Sequence, residues 1–233
     1  MQMLILAGGL GTRLRPITKR LPKCMVPAGG RPFLEHQLRL LVSRGVRDIV
    51  LCVGYLGHKV LEHFGDGHHL GAHLTYAWER NGLLGTAGAI RNAEALLAPE
   101  FFVANGDSYP VLDYRAIMRR FRHSDALGMM VVHRNEGRLR PSNVAVNDGL
   151  VTAYDNTTRI PGMAYVEQGL CVVRRRALRL IPPGMPFSQR QFLGMLARRR
   201  QLLAYETEQR IYEIGSPLGL AEFRRLITVG GLS

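Results

Sequence analysis

Three features of this 233-residue chain predict an α/β domain. Short apolar runs alternate with amphipathic stretches through its first half, the pattern of βαβ units around a parallel sheet. A glycine-rich excursion follows directly on the first apolar run, a strand-to-loop junction of the kind where open α/β sheets bind ligands. Hydrophobic residues make up 46% and charged residues 21%, which fits a globular chain and excludes disordered and membrane-embedded classes. The length suits one domain with a large core, taken as residues 1–233, in two halves at 1–110 and 111–233.

Leu4 to Ala7 reads as the first strand. Phe33 to Ser43 is predicted helical from Phe33, Leu34, Leu38 and Leu41 at helical spacing, and Asp48 to Val53 is the next strand. A turn of helix at Val60 to Phe64 leads to a strand at Leu74 to Trp78, a helix at Thr86 to Leu97, and a strand at Glu100 to Ala104 that runs out into Asn105-Gly106-Asp107. Beyond it come a helix at Asp113 to Arg122 and strands at Gly128 to His133, Asn143 to Val146, Val151 to Tyr154 and Gly169 to Val173. Asn147-Asp148-Gly149 is a hairpin-turn signal. Ser188 with Gln191 forms a capping box for a helix ending near Arg199, and Ser216-Pro217 opens a final helix through Ile227.

No apolar run approaches the roughly 20 residues needed to cross a bilayer. Met1 to Ala7 lacks a basic leader and a cleavage site, so it reads as a strand and the protein is expected in the cytoplasm, without a membrane partner. Cys24, Cys52 and Cys171 show no CxxC pairing and read as reduced structural thiols. The net charge is +13, and 28 of the 31 basic residues are arginine. That balance suits an anionic ligand. The arginines fall on helix faces and ends without interleaved aromatics or a nucleic-acid motif, so no nucleic-acid partner is expected. Against this background Lys23 stands out, because a generic charge there would be Arg.

The excursion reads Gly8-Gly9-Leu10-Gly11-Thr12-Arg13-Leu14-Arg15-Pro16 and continues to Pro22-Lys23. Glycines let backbone N–H groups approach an anion closely. A dinucleotide fingerprint would need a third glycine at position 14, which is Leu, and a P-loop would need Gly-Lys-Ser/Thr; both are absent. A glycine-rich turn alone is usually only a tight connection. Arg13 and Lys23 in the same excursion add two cations that can neutralise a triphosphate and its departing pyrophosphate.

The runs LAGGLGTRLRPIT and LPKCMVPAGGRPFLEHQL resemble the signature of sugar-1-phosphate nucleotidylyltransferases, and the resemblance extends across the chain. It implies a Rossmann-like, three-layer αβα sandwich with a mixed, mostly parallel sheet, similar to the GT-A-like nucleotidyltransferase fold. It implies a reaction in which a sugar 1-phosphate attacks the α-phosphorus of a nucleoside triphosphate, with Mg2+ as cofactor. By this resemblance Leu6, Ala7, Gly8, Gly9, Gly11, Thr12, Arg13, Lys23 and Asn105 hold the nucleotide, and Gly85, Thr86 and Ala87 pack beside its base. Arg13, Lys23 and Asp107 are the catalytic candidates. Asp107 occupies the place of the family's metal-binding Asp, and Glu213 that of a second carboxylate, usually Asp. Gly106, Asn156, Glu167 and Gly169 fall on the sugar side, where Glu167 matches a residue that accepts from two sugar hydroxyls.

The chain departs from its relatives at Asn156, where many have lysine; Arg159 is a substitute nearby. Bland readings stand beside these: Asp107 as a turn residue, Glu167 as a solvent-facing charge at a strand start. His68, His69, Trp78 and the sequon at Asn156 carry no comparable constellation. The version at Leu83 to Ala89 looks most like guanylyltransferases acting on mannose or D-glycero-D-manno-heptose 1-phosphate, which makes GTP and a sugar 1-phosphate the expected substrates. A uridylyltransferase acting on N-acetylmuramic acid 1-phosphate, a regulatory paralogue without catalysis, and a basic nucleic-acid-binding module are the alternatives. A homo-oligomer is compatible with all of them.

Overall fold

The computed structural model describes residues 1–80, 82–135 and 141–228. Ser233, where the expected domain ends, lies outside the described residues. The chain opens with β1 (Gln2–Leu6) and, after the glycine-rich excursion, a small hairpin of β2 (Pro27–Ala28) and β3 (Arg31–Pro32). Helix α1 (Phe33–Ser43), β4 (Asp48–Val53), α2 (Gly57–Phe64), β5 (His73–Trp78), α3 (Gly85–Asn92) and β6 (Glu100–Asn105) complete the alternating half. Then follow β7 (Ser108–Tyr109), α4 (Tyr114–Arg122), β8 (Gly128–Arg134), β9 (Val144–Asn147), β10 (Leu150–Tyr154) and β11 (Tyr165–Arg174). The chain closes with α5 (Gln189–Arg198), β12 (Leu202–Glu206), β13 (Tyr212–Glu213) and α6 (Pro217–Thr228). No described helix is long and apolar enough to cross a membrane.

One nine-stranded sheet runs in the order β5-β4-β1-β6-β11-β8-β12-β10-β9. Its β5-β4-β1-β6 half is parallel, as the βαβ alternation dictates. From β6 onward only the β8–β12 contact is parallel. The sheet is mixed, as expected, but it is not mostly parallel, because hydrophobic periodicity fixes which residues are strands but not which way neighbours run. β12 was not expected at all; its five residues are half-buried in alternation and sit between β8 and β10. The hairpin at Asn147-Asp148-Gly149 is present, with Asp148 and Gly149 at φ 49° and 73°. Ser188 and Gln191 cap α5 reciprocally, as expected.

Successive residues of β1 point to opposite faces. Met3 and Ile5 join a core with Leu34 and Leu38 of α1, Phe64 of α2 and Phe121 of α4; Leu4 joins another with Ile90 of α3 and Phe192 of α5. A third, smaller core lies beside the sheet. In it Phe223 of α6 packs edge-on against Phe33, their ring centroids 4.7 Å apart, with Leu14, Val26, Tyr109 and Ile214 around them. The Arg224 guanidinium donates twice to the Pro27 carbonyl, at 3.1 and 2.8 Å. This third core fastens the end of the chain to the loops that follow β1. Phe223→Ala should cost about 3–5 kcal/mol, the usual loss for a buried phenylalanine, read as a lower urea midpoint with unchanged slope.

Candidate functional site

The C-terminal ends of β1 and β6 meet the glycine-rich excursion. Gly106 donates its N–H to Leu6 O at 3.0 Å, so the turn leading to Asp107 lies directly on the end of β1. The excursion folds back on itself: Gly11 is left-handed, and its carbonyl accepts from the Leu14 N–H at 2.9 Å and from the buried Thr18 hydroxyl at 2.8 Å. A cavity of about 340 Å³ opens between these segments. Leu6, Ala7, Gly8, Gly9, Lys23, Gly85, Thr86 and Asn105 line it, as the sequence placed them on the nucleotide side. Asp107 and Gly106 line it too, the latter expected on the sugar side. Gly11 and Thr12 form the loop behind. Ala87 does not reach the cavity: it is fully buried in the core under α3, and its N–H donates to Phe187 O at 2.9 Å.

Three charged side chains converge at the mouth of this cavity. Lys23 Nζ forms an ion pair with Asp107 Oδ2, both side chains mostly buried. A methyl group at Gly215 would come within 3.2 Å of Asp107 Oδ2, 3.3 Å of Arg13 Nη2 and 3.5 Å of Lys23 Nζ. Gly215 is thus the point on which all three side-chain ends close, and a methyl group there would press on Asp107 and Arg13. It is held there because β13 pairs with β7, setting Glu213 opposite Ser108, while Ile214 donates its N–H to Asp107 O at 2.9 Å. Glu213 therefore arrives one residue from Asp107 across the ladder, on the side of a second cavity.

Glu79, which the sequence reading missed, is a further carboxylate in the wall of this first cavity. Its Oε2 accepts from the Leu84 N–H at 2.7 Å, and a methyl at Gly8 would lie 2.8 Å from its Oε1. Burial raises its pKa above the ordinary carboxylate value, partly offset by the Leu84 hydrogen bond. The segment Leu84 to Gly88 is clamped from outside. Phe187 donates its N–H to Leu84 O at 2.8 Å and accepts from Ala87 and Gly88, while Gln189 donates its N–H to the Thr86 hydroxyl at 2.6 Å. Cys24 and Cys52 complete the wall, and burial pushes the Cys24 thiol up to about 12.

The second cavity, of about 320 Å³, shares Asn105 with the first. A register shift in β11 at Glu167 to Cys171 makes its wall. There Gly169 is left-handed, and a side chain would strike Ser108 Oγ at 2.5 Å. Glu167 lines this cavity; its Oε1 accepts from the Gly169 N–H at 2.5 Å, and its own N–H donates to Asn143 Oδ1 at 2.9 Å. It is buried, against the reading of a solvent-facing charge. Asn156 lines neither cavity: it bonds Asn143 and the Tyr154 hydroxyl, supporting Glu167 from behind. Arg159 is likewise outside both. The cation the structure does bring here is Arg210, paired at both terminal nitrogens with Glu222 at 2.6 Å and lying 5.3 Å over the Tyr212 ring. Among the described residues no three His, Cys, Asp or Glu side chains converge as a metal cluster.

The chain matches the nucleotidyl transferase family over residues 2–141. It belongs to that family. This nucleotidyl transferase is 40% identical over 113 residues to the D-glycero-alpha-D-manno-heptose 1-phosphate guanylyltransferase of Campylobacter jejuni, covering 48% of this chain and 50% of that protein. It is 31% identical over 235 residues to the mannose-1-phosphate guanyltransferase of Schizosaccharomyces pombe, covering 93% and 61%. The chain thus spans between half and two thirds of the length of these curated relatives. Among solved structures, HddC from Yersinia pseudotuberculosis complexed with GMP-PN aligns with a TM-score of 0.80 at 26% identity, over 97% of this chain and 99% of that one. The α/β architecture with its mixed sheet is therefore the fold of this family.

The cavity thiols give a direct check on its packing. Only thiolate is nucleophilic, and burial holds Cys24 and Cys171 up at about 12 and raises Cys52 as well. Mass spectrometry after iodoacetamide treatment at about pH 8 should find the native chain unlabelled and the denatured chain labelled three times. Rapid labelling of the native protein at Cys24 or Cys52 would show that the wall opens.

Proposed function

We propose that this chain transfers GMP from GTP onto a sugar 1-phosphate, D-glycero-D-manno-heptose or mannose 1-phosphate, releasing pyrophosphate and a nucleotide sugar. The convergence of Arg13, Lys23 and Asp107 on Gly215, beside a backbone cradle, is the observation that carries this reading. The names of the Campylobacter and fission-yeast relatives support it.

A phosphate oxygen of the sugar phosphate attacks the α-phosphorus in line; the new P–O bond forms as the bond to the β-phosphate oxygen breaks, and the electron pair leaves with pyrophosphate. Such transfer depends on positioning and charge neutralisation rather than a protein nucleophile. Gly8 and Gly9 expose backbone to the phosphates, and Arg13 and Lys23 neutralise the charge that builds on the leaving group. Lys23 is already paired with Asp107, so an entering triphosphate competes for it and releases the Asp107 carboxylate. Asp107, in the turn just before β7, and Glu213, opposite Ser108 on β13, are hard oxygen donors that would hold Mg2+ together with substrate oxygens. When bound there, Mg2+ supplies charge stabilisation at the reacting phosphates. Glu167, Gln168 and Glu222 line the cavity that would receive the sugar.

Glu79 supports guanine over uracil. A carboxylate accepts from the adjacent N1–H and N2–H groups of guanine, whereas uracil offers one donor flanked by two carbonyl oxygens that it would repel. Pyrophosphate release should be fastest with GTP in a panel of GTP, UTP, CTP, ATP and dTTP, tested with mannose, heptose, glucose and N-acetylmuramic acid 1-phosphates. A clear preference for UTP would overturn the assignment in favour of the uridylyltransferase reading. Glu79→Gln should raise KM for GTP about tenfold or more, the worth of a charge-assisted hydrogen bond, with less effect on UTP. Because burial raises the Glu79 pKa, its acceptor is lost at a higher pH than for an ordinary carboxylate. KM for GTP should therefore climb as pH falls through that raised value, and Glu79→Gln should flatten the profile.

A further inference from the structure

The two cavities lie at one end of the sheet, where β1 and β6 finish. At the other end the topology gathers arginines. There β6 begins at Glu100, opposite Arg174 at the close of β11, and β8 and β12 begin side by side. Arg119, Arg120 and Arg122 end α4 on this side, all exposed. Arg198, Arg199 and Arg200 end α5, fixed here because Gln201 O accepts from the Leu127 and Gly128 N–H groups. Arg175, Arg176 and Arg179 follow β11. Arg44 and Arg47 flank the start of β4, with the Arg115 guanidinium reaching Gly45.

Helix dipoles account for part of this, since helix C-termini point to this end and favour a cation in the last turn. They do not account for Arg175 and Arg176, which open a short helical turn where the dipole disfavours cations. The charge is only partly cancelled, the carboxylates here being Asp48, Glu94, Glu100 and Asp125. Glu100 is shared between Arg122 and Arg174, and Glu94 is taken by Arg91. The end is broad, about 24 Å from β4 to β12 at the usual strand spacing. No described Phe, Tyr or Trp is exposed on it to stack bases, the exposed rings being the imidazoles of His73 and His123, while Met1 and Leu96 are exposed apolar side chains.

We propose that this arginine-rich end docks on an anionic lipid bilayer surface. A broad basic face with scattered apolar tips fits a plane of lipid phosphates, which attracts each nearby Arg within a Debye length. Single-stranded nucleic acid is less suited, lacking stacking partners here. Docking in this orientation leaves both cavities facing the water, so soluble substrates still enter. It departs from the sequence expectation of no membrane partner, and does not depend on which nucleotide or sugar is used.

Co-sedimentation of the full chain with phosphatidylglycerol/phosphatidylcholine vesicles, against phosphatidylcholine alone, tests this. Binding should require the anionic lipid and fall steeply between about 0.1 and 1 M salt, as the Debye length shrinks from about 10 to 3 Å. Arg119→Ala/Arg120→Ala/Arg176→Ala should lose on the order of tenfold or more in affinity, since each basic residue contributes separately. The same charge removed elsewhere, Arg20→Ala/Arg31→Ala/Arg225→Ala, should lose much less, and both triple variants should keep the wild-type melting temperature within a few degrees. No anionic vesicle binding by the wild type at about 0.1 M salt, equal losses in the two triples, or tighter binding to duplex RNA that vesicles cannot displace, would each overturn the proposal.

Discussion

The ion pair between Lys23 and Asp107, laid against the backbone of Gly215, is the contact around which both cavities are arranged. It joins three distant parts of the chain: the excursion after β1, the turn after β6, and the segment between β13 and α6. Each is brought there by its own local structure. Thr18 closes the excursion on Gly11, the Gly106 N–H ties the Asp107 turn to β1, and the β7–β13 ladder delivers Gly215. The third core of Phe33, Tyr109 and Phe223 holds the last of these in place. Stability and site geometry therefore share residues: loosening α6 moves the point on which three charges close.

That pair also restrains the site itself. Two opposite charges with roughly a fifth of their side chains exposed are screened less than surface ions but still reach water. Removing one partner would leave the other partly desolvated and uncompensated, which is the costly half of breaking such a pair. On the proposed function, a triphosphate that offered Lys23 a better partner would avoid this cost if a cation held by Asp107 compensated the carboxylate, and the binding of nucleotide and of metal would be coupled through one lysine.

How much of this was legible varied with the kind of signal. Lys23 was visible because it is one of only three lysines beside 28 arginines, and Asp107 because it follows a strand and Asn105-Gly106. Glu79 was not, since it reaches the first cavity beside Gly8, far away in sequence. Arg210 and Glu222 meet only because α6 folds back over the second cavity, so nothing in their spacing marks them. Asn156 was read at a position where relatives carry a lysine, and the side chain bonds Asn143 instead. In the sheet, the alternation of the first half encoded its parallel order. In the second half four strands were read but only one turn signal bore on how they pair, and β12, which follows directly on Arg198-Arg199-Arg200, passed unnoticed.

The coupling between Lys23 and Asp107 is best tested by Mn2+ binding, followed by the loss of its free electron-resonance signal, with and without GTP. The account predicts weak Mn2+ binding by the wild type alone and tight binding once GTP is present. It also predicts that Lys23→Met binds Mn2+ without nucleotide, and that Asp107→Asn binds it poorly in either condition. Equal Mn2+ affinity of the wild type with and without GTP, or wild-type binding by Asp107→Asn, would contradict it.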